Sequence, residues 1–158
     1  MKVEWLNHTG YVVADMERAL SFYRDLLGFK EERNQVLEGE FISGMIGFPD
    51  TKIHAVYLGI EDMRHSVELI QYINPPGEDI PPSKLNQIGA THLGVIVEDL
   101  DSVYEELTAK GVKFNGPPSF RANAEYPWAR KVCMGQDLDG NWLEFIERPP
   151  ATPGTTKV

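Results

Sequence analysis

Residues 7–29, NHTGYVVADMERALSFYRDLLGF, are echoed by residues 91–114, THLGVIVEDLDSVYEELTAKGVKF. Setting His8 on His92 places Gly10 on Gly94 and Asp15 on Asp99 without a gap, so the chain repeats itself at a spacing of 84 residues. Each copy opens with a β-branched run that reads as a strand and closes it with an Asp positioned to cap a helix by accepting a backbone N–H. After Asp15, the residues Met16, Ala19, Leu20, Tyr23, Leu26 and Leu27 recur at the spacing of one helical face, and Gly28 supplies a left-handed stop. After Asp99, the residues Leu100, Val103, Tyr104 and Leu107 repeat the pattern up to Gly111. Both stripes are assigned to core packing.

Outward from these units, FKEERNQV (29–36), KIHAVYLGI (52–60) and HSVELIQYI (65–73) read as three strands. The stretch LEGEFISGMIGFPD (37–50) between the first two is expected to be a longer loop or a short helix. In the second copy VKFNGPPSF (112–120), ARKVCMGQ (129–136) and NWLEFIER (141–148) fill the same places, the last two joined by an Asp-Gly hairpin turn in DLDG. The fold class is therefore α+β, with two tandem βαβββ modules. Module one spans 5–73, a Pro- and Gly-rich linker 74–89, and module two 90–148, forming one domain over 1–148; residues 149–158 are expected to be a disordered tail.

A chain of 158 residues with 42% hydrophobic and 25% charged content suits one soluble domain, and no apolar run approaches the ~20 residues of a membrane span. The formal net charge of -9 repels phosphate backbones and anionic surfaces, so nucleic acid and membrane are not expected partners. The start carries no secretory signal pattern and the single cysteine, Cys133, has no internal partner, so a reducing cytoplasm is the expected compartment. Cys133 is read as a small buried hydrophobe.

Four residues break the apolar pattern. Glu68 stands between Val67 and Leu69, and Glu144 between Leu143 and Phe145. On a period of two, Glu68 shares a face with Ile70 and Tyr72, and Glu144 with Trp142 and Ile146. His8 shares a face with Leu6, Gly10 and Val12, and His92 with Ala90, Gly94 and Ile96. An ionised carboxylate on such a face needs a cation or a raised pKa, because its unpaired burial costs several kcal/mol or more. Two imidazoles and two carboxylates suit a divalent transition metal with positions left for water or substrate. His54 and His65 have no counterparts in the repeat and are read as structural, and DLDGN is read as a turn, because the later ligands of a calcium loop are missing.

The segments NHTGYVVAD, VELIQY, THLGVIVEDL and DLDGNWLEFIE resemble the vicinal oxygen chelate superfamily, which includes glyoxalase I, methylmalonyl-CoA epimerase, extradiol dioxygenases and the fosfomycin and bleomycin resistance proteins. The likeness runs from about residue 5 to 148. It implies a cup-shaped, partly closed eight-stranded mixed sheet holding one divalent metal ion (Ni, Zn, Co, Mn or Fe) on His8, Glu68, His92 and Glu144, a set most similar to that of glyoxalase I. The long 37–52 stretch looks closer to the epimerase-like members.

The function expected is metal-dependent proton transfer by a lyase, isomerase or epimerase. A small molecule with vicinal oxygens loses its α-proton to Glu144, or secondarily to Glu68, and leaves a metal-stabilised enediolate. Two other classes stay open. One is an extradiol-type Fe(II) dioxygenase in which His8 or Glu68 does not ligate. The other is a metal-free small-molecule (drug) binding protein whose cup is lined by Trp128, Tyr72, Tyr126 and Phe120. Arg121, Arg130 and Lys131, with Trp128, are candidates to meet an anionic substrate tail. A homodimer is expected by resemblance.

Overall fold

The computed structural model describes residues 2–61, 63–78, 83–120 and 129–150. The chain divides into two compact units, residues 1–82 and 83–158, with the boundary inside the Pro- and Gly-rich stretch. Each unit is one βαβββ module with its own mixed sheet.

In the first unit β1 (His8–Val12) runs into α1 (Met16–Leu20), which continues as a π-helical segment, Ser21–Leu26. Asp15 caps α1 as expected, its carboxylate accepting the Arg18 N–H at 2.8 Å. Gly28, at φ 78°, takes the left-handed stop, and the Phe29 N–H reaches back to the Tyr23 carbonyl. The wider π turn departs from a strict helical stripe. It buries Phe22 beside Tyr23, both at most 1% exposed, while Leu26 and Leu27 are only half-buried. Each buried aromatic contributes about 1.5–3 kcal/mol by removal from water.

The sheet continues with β2 (Lys30–Glu38), β3 (Lys52–Gly59) and β4 (Ser66–Asn74) in the order β1-β4-β3-β2, with β1 parallel to β4. Its two faces are put to different uses. Tyr11, Val56, Leu58, Val67 and Leu69 are buried on the face against which α1 packs, where the Tyr11 and Tyr23 rings stack at 6.2 Å. The 37–50 stretch is a short helix, α2 (Glu40–Ile46), entered and left through Gly39 and Gly47, both at positive φ. It packs on the opposite face, where Ile42 joins Ile53 and Ala55, with Ile46, Leu37, Tyr57, Ile70 and Tyr72 around them.

The second unit repeats the plan with β5 (His92–Val97) and α3 (Leu100–Ala109), the latter capped by Asp99 through the Ser102 N–H. The stretch expected as one strand over 112–120 is two short ones, β6 (Lys113–Phe114) and β7 (Ser119–Phe120), both paired along the same edge of β8 (Lys131–Gln136). Pro117 and Pro118 lie between them and have no N–H to donate to a ladder, so the edge is interrupted there. The last strand, β9 (Trp142–Glu147), lies between β5 and β8, parallel to β5. The Asp137–Gly140 turn joins β8 to β9 as expected, with Asp137 accepting the Asp139 and Asn141 N–H groups. Leu100, Leu107, Leu143, Phe145 and Cys133 are buried on the helix-facing side, with Phe114 between Tyr104 and Phe145.

Among the described residues no helix is long and apolar enough to cross a membrane. Most of the expected tail, residues 151–158, lies outside the described residues.

Candidate functional site

The parallel pairing of first and last strand builds the same constellation in each unit. In the first, Gly10 lies opposite Glu68 and His8 opposite Ser66, so the imidazole stands one pleat along from the carboxylate on the same face. His8 Nε2 is 3.1 Å from Glu68 Oε2. In the second, Gly94 lies opposite Glu144 and His92 opposite Trp142, and His92 Nε2 is 3.4 Å from Glu144 Oε2. All four residues take the faces expected from the period of two.

Both carboxylates lie over glycine. A Cβ on Gly10 would sit 3.7 Å from Glu68 Oε2, and one on Gly94 would sit 3.9 Å from Glu144 Oε2, so each carboxylate rests at ordinary van der Waals distance from where a methyl would stand.

The donor set fits half of a divalent centre in each unit. His8 Nδ1 is 2.7 Å from Asn7 Oδ1 and its Nε2 is 3.1 Å from Glu68 Oε2, so the ring is held between two side-chain oxygens. An imidazole oriented by an oxygen on one nitrogen and facing a carboxylate with the other has the setting of a ligating histidine. Among the described residues neither Glu68 nor Glu144 forms an ion pair with Lys or Arg. The same residues contain no group of three or more His, Cys, Asp and Glu side chains placed to hold a metal ion, and each unit brings one His–Glu pair together.

The pairs have different surroundings. Glu68 has a side chain 10% exposed, and across β3–β4 it faces Tyr57. Burial first, then the hydrogen bond and charge of Glu68, push the Tyr57 hydroxyl up to about 12, so it stays a donor at any working pH. The Tyr57 ring meets His8 edge-on at 5.5 Å, and on its other side the Arg33 guanidinium lies 4.2 Å from the ring centre. Glu144 is 23% exposed and faces Met134, which offers no hydrogen bond. It borders a pocket of about 340 Å³ opened by the break between β6 and β7 and lined by Asn115, Pro117, Ser119, Val132 and Met134.

The basic candidates turn out differently. Lys131 lies opposite Glu147, on the side of the sheet away from Glu144, and pairs with Asp101 and, at 3.7 Å, with Glu147. Arg130 pairs with Glu147 at 3.3 Å and lies 6.0 Å over the exposed Phe120 ring. Both cations are thus engaged around Glu147, whose carboxylate also accepts the Leu100 N–H at 2.9 Å. Tyr72 belongs to the α2 cluster. Arg121, Tyr126 and Trp128 lie outside the described residues. His54 bonds Asn34 and His65 bonds Thr9, in keeping with structural roles. Burial pushes the Cys133 thiol up to about 11, which suits its reading as a hydrophobe. Tyr57 and Arg33 were not singled out from the sequence: they have no repeat counterparts and sit in strands that otherwise read as ordinary.

Comparison with known proteins agrees with this architecture. Residues 5–145 match the family model described as the Glyoxalase/Bleomycin resistance protein/Dioxygenase superfamily. Over 144 residues, 90% of the chain, the sequence is 27% identical to a probable chloroplastic lactoylglutathione lyase of Arabidopsis thaliana, covering 35% of that protein. Over 116 residues, 71% of the chain, it is 24% identical to the mitochondrial methylmalonyl-CoA epimerase of Mus musculus, covering 56% of it. The chain thus spans about a third to somewhat over half of these curated relatives. Among solved structures, a glyoxalase family protein from Bacillus cereus superposes with a TM-score of 0.83 at 20% identity, over 95% of this chain and 97% of that one.

Proposed function

Since the chain belongs to the Glyoxalase/Bleomycin resistance protein/Dioxygenase superfamily, we propose that it is a metal-dependent lyase, isomerase or epimerase that moves an α-proton on a small molecule bearing vicinal oxygens. The observation that carries this reading is the repeated pair: a histidine and a glutamate in contact over a glycine, once per unit. Two ligands are too few for a tight transition-metal site, and His8, Glu68, His92 and Glu144 together supply two neutral nitrogens and two anionic oxygens for one ion.

When bound, the ion supplies Lewis acidity that stabilises the charge left on the substrate's oxygens. Glu144 is the proton acceptor. Its carboxylate is the more exposed of the two and borders the pocket, so a substrate C–H can come within hydrogen-bond reach. The C–H bond breaks, the proton passes to Glu144 and the electron pair moves into the adjoining carbonyl. Return of that proton to the neighbouring carbon isomerises the substrate; delivery of a proton to the opposite face epimerises it, and Glu68 is the second candidate for the acceptor. A homodimer acting in the cytoplasm belongs to the same proposal.

Elemental analysis of purified protein beside Glu144→Gln, with solvent deuterium exchange into an α-hydroxyketone, tests the reading. One divalent ion per chain is expected, with exchange lowered by about 10²–10⁴ in the variant. Iron with substrate-dependent oxygen uptake would replace it with a dioxygenase. No metal after reconstitution would leave a small-molecule binding protein.

A further inference from the structure

We propose that Arg33 is a specificity-determining residue of the first unit, placed to receive a carboxylate that the substrate carries a few bonds from its vicinal oxygens. The inference rests on the proton-transfer reading above and deepens it by naming the substrate class: an α-oxygenated carbonyl compound with a singly charged anionic tail.

Register brings the guanidinium to the face that carries His8 and Glu68. Across β2–β3, Lys30 and Glu31 pair with Gly59 and Leu58, and in continuous register Glu32 would come next, opposite Tyr57, with Arg33 turned to the other face. A bulge sets Arg33 opposite Tyr57 instead. Tyr57 is in turn the direct partner of Glu68 across β3–β4, so Arg33 ends the row Gly10, Glu68, Tyr57, Arg33. His8 meets the Tyr57 ring edge-on at 5.5 Å, and the guanidinium carbon of Arg33 lies 4.2 Å from the centre of the same ring. A single aromatic ring separates the imidazole of the His–Glu pair from a held positive charge. Ile53 and Ala55, further along β3 on this face, are sealed under Ile42 of α2, so a ligand meets the face at the Arg33 and His8 end.

That charge is unspent. Among the described residues the Arg33 side chain has no ion pair with Asp or Glu and no hydrogen bond, whereas Arg24, Lys30 and Lys52 of the same unit are each paired with a carboxylate. The neighbouring Glu32 is occupied elsewhere: a Cβ on Gly59 would fall 2.0 Å from its carboxylate oxygen, and the carboxylate accepts the Ser66 hydroxyl at 2.6 Å. Tyr57 holds the guanidinium by its face, a contact that uses none of the N–H donors. The partner such a fork lacks is an anion that presents two oxygens to it. With Glu32 and Glu68 on the same face, one guanidinium matches a carboxylate better than a doubly charged phosphate.

The test is Arg33→Gln, with 5-hydroxy-4-oxopentanoate and its methyl ester as probes, one α-hydroxyketone with and without the charge. Solvent deuterium exchange is followed on both. In the variant KM for the carboxylate is expected to rise about tenfold with kcat unchanged, as for loss of a uniform binding contact, and KM for the ester to stay the same. The second readout needs neither metal nor turnover: the Arg33 Nε–H resonance of the metal-free protein is expected to shift on titration with the carboxylate and to stay in place with the ester. Acetate is expected to compete in that titration more strongly than inorganic phosphate, and the reverse order would overturn the choice of a carboxylate. An Nε–H that ignores the carboxylate, or a variant in which KM for both probes changes alike, overturns the role of Arg33. Wild-type protein that exchanges neither probe overturns the proton-transfer reading instead, and the Nε–H titration then decides the anion site by itself.

Discussion

Gly10 lies directly across the β1–β4 ladder from Glu68, and the space its missing side chain leaves is the space the glutamate carboxylate passes over. A Cβ at residue 10 would stand 3.3 Å from Ile70 Cδ1, which is tight, and an ordinary 3.7 Å from the carboxylate oxygen. At Gly94 the corresponding contacts are 3.7 Å to Ile146 Cδ1 and 3.9 Å to Glu144 Oε2, both ordinary van der Waals distances.

The two glycines should therefore differ in tolerance. Gly10→Ala is expected to weaken metal binding severalfold by pushing Ile70 against its same-face neighbour Glu68, and Gly94→Ala to change it by less than twofold. Calorimetric titration of both variants with Ni²⁺ checks the order; equal losses would mean that the crowding at Ile70 has no consequence.

Ion binding should be visible as stability. A ligand that binds only the folded chain, present at a hundred times its dissociation constant, adds about 2.7 kcal/mol, which for a chain of this size raises Tm by about 5–10 °C. Nickel should give that shift, a chelator should reverse it, and Glu68→Gln should flatten it, all readable by differential scanning fluorimetry.

Glu147 is the keystone of the second unit's helix-facing side, 5% exposed and engaged by the Leu100 N–H, Arg130 and Lys131. Glu147→Ala strands these partners and is expected to cost about 3 kcal/mol, or about 10 °C in Tm. The Arg130 share is small because that side chain is 45% exposed and screened. Lys131→Met should lower stability by less and leave KM for the substrate unchanged; a large rise in KM would restore Lys131 to the substrate site.

Helix α3 should weaken in acid. The Ser102 N–H, then its hydroxyl, hold the Asp99 carboxyl below the usual carboxylate range. A folded pKa below the unfolded one means that the stabilisation is present above about pH 4 and lost as pH falls through the folded value. Asp99→Asn should therefore show a shallower decline than wild type in urea unfolding between pH 5 and pH 2.

Cys133 is 5% exposed and its thiol is pushed up to about 11 by burial. Native protein at pH 7 should resist alkylation by iodoacetamide and react only once unfolded. Labelling followed by mass spectrometry with and without urea decides it, and fast native labelling would mark the cysteine as open to solvent.

Much of the fold was written in the repeat. Strand and helix order, the Asp15 and Asp99 caps, the Gly28 stop and the shared faces of His8 with Gly10 and of Glu68 with Ile70 all follow from spacing, because they depend on residues one to four apart. The departures have local causes that periodicity does not carry. The π turn after Leu20 buries Phe22, Pro117 and Pro118 split an edge strand, and the 37–50 stretch folds as α2 onto the face that carries Glu68.

The sequence alone determined which residues break the pattern: a histidine and a glutamate at matching places in two copies, polar groups where the alternation demanded apolar ones. Only the tertiary structure decided their company. Tyr57 meets Glu68, and Arg33 rather than Glu32 meets Tyr57, through strand pairings whose register a single bulged residue resets. Arg130 and Lys131 are drawn to Glu147 because β8 and β9 pair antiparallel with those residues at one end. Cross-strand partners are chosen by the closing of the whole ladder, a long-range event that leaves no mark in the spacing of neighbouring residues.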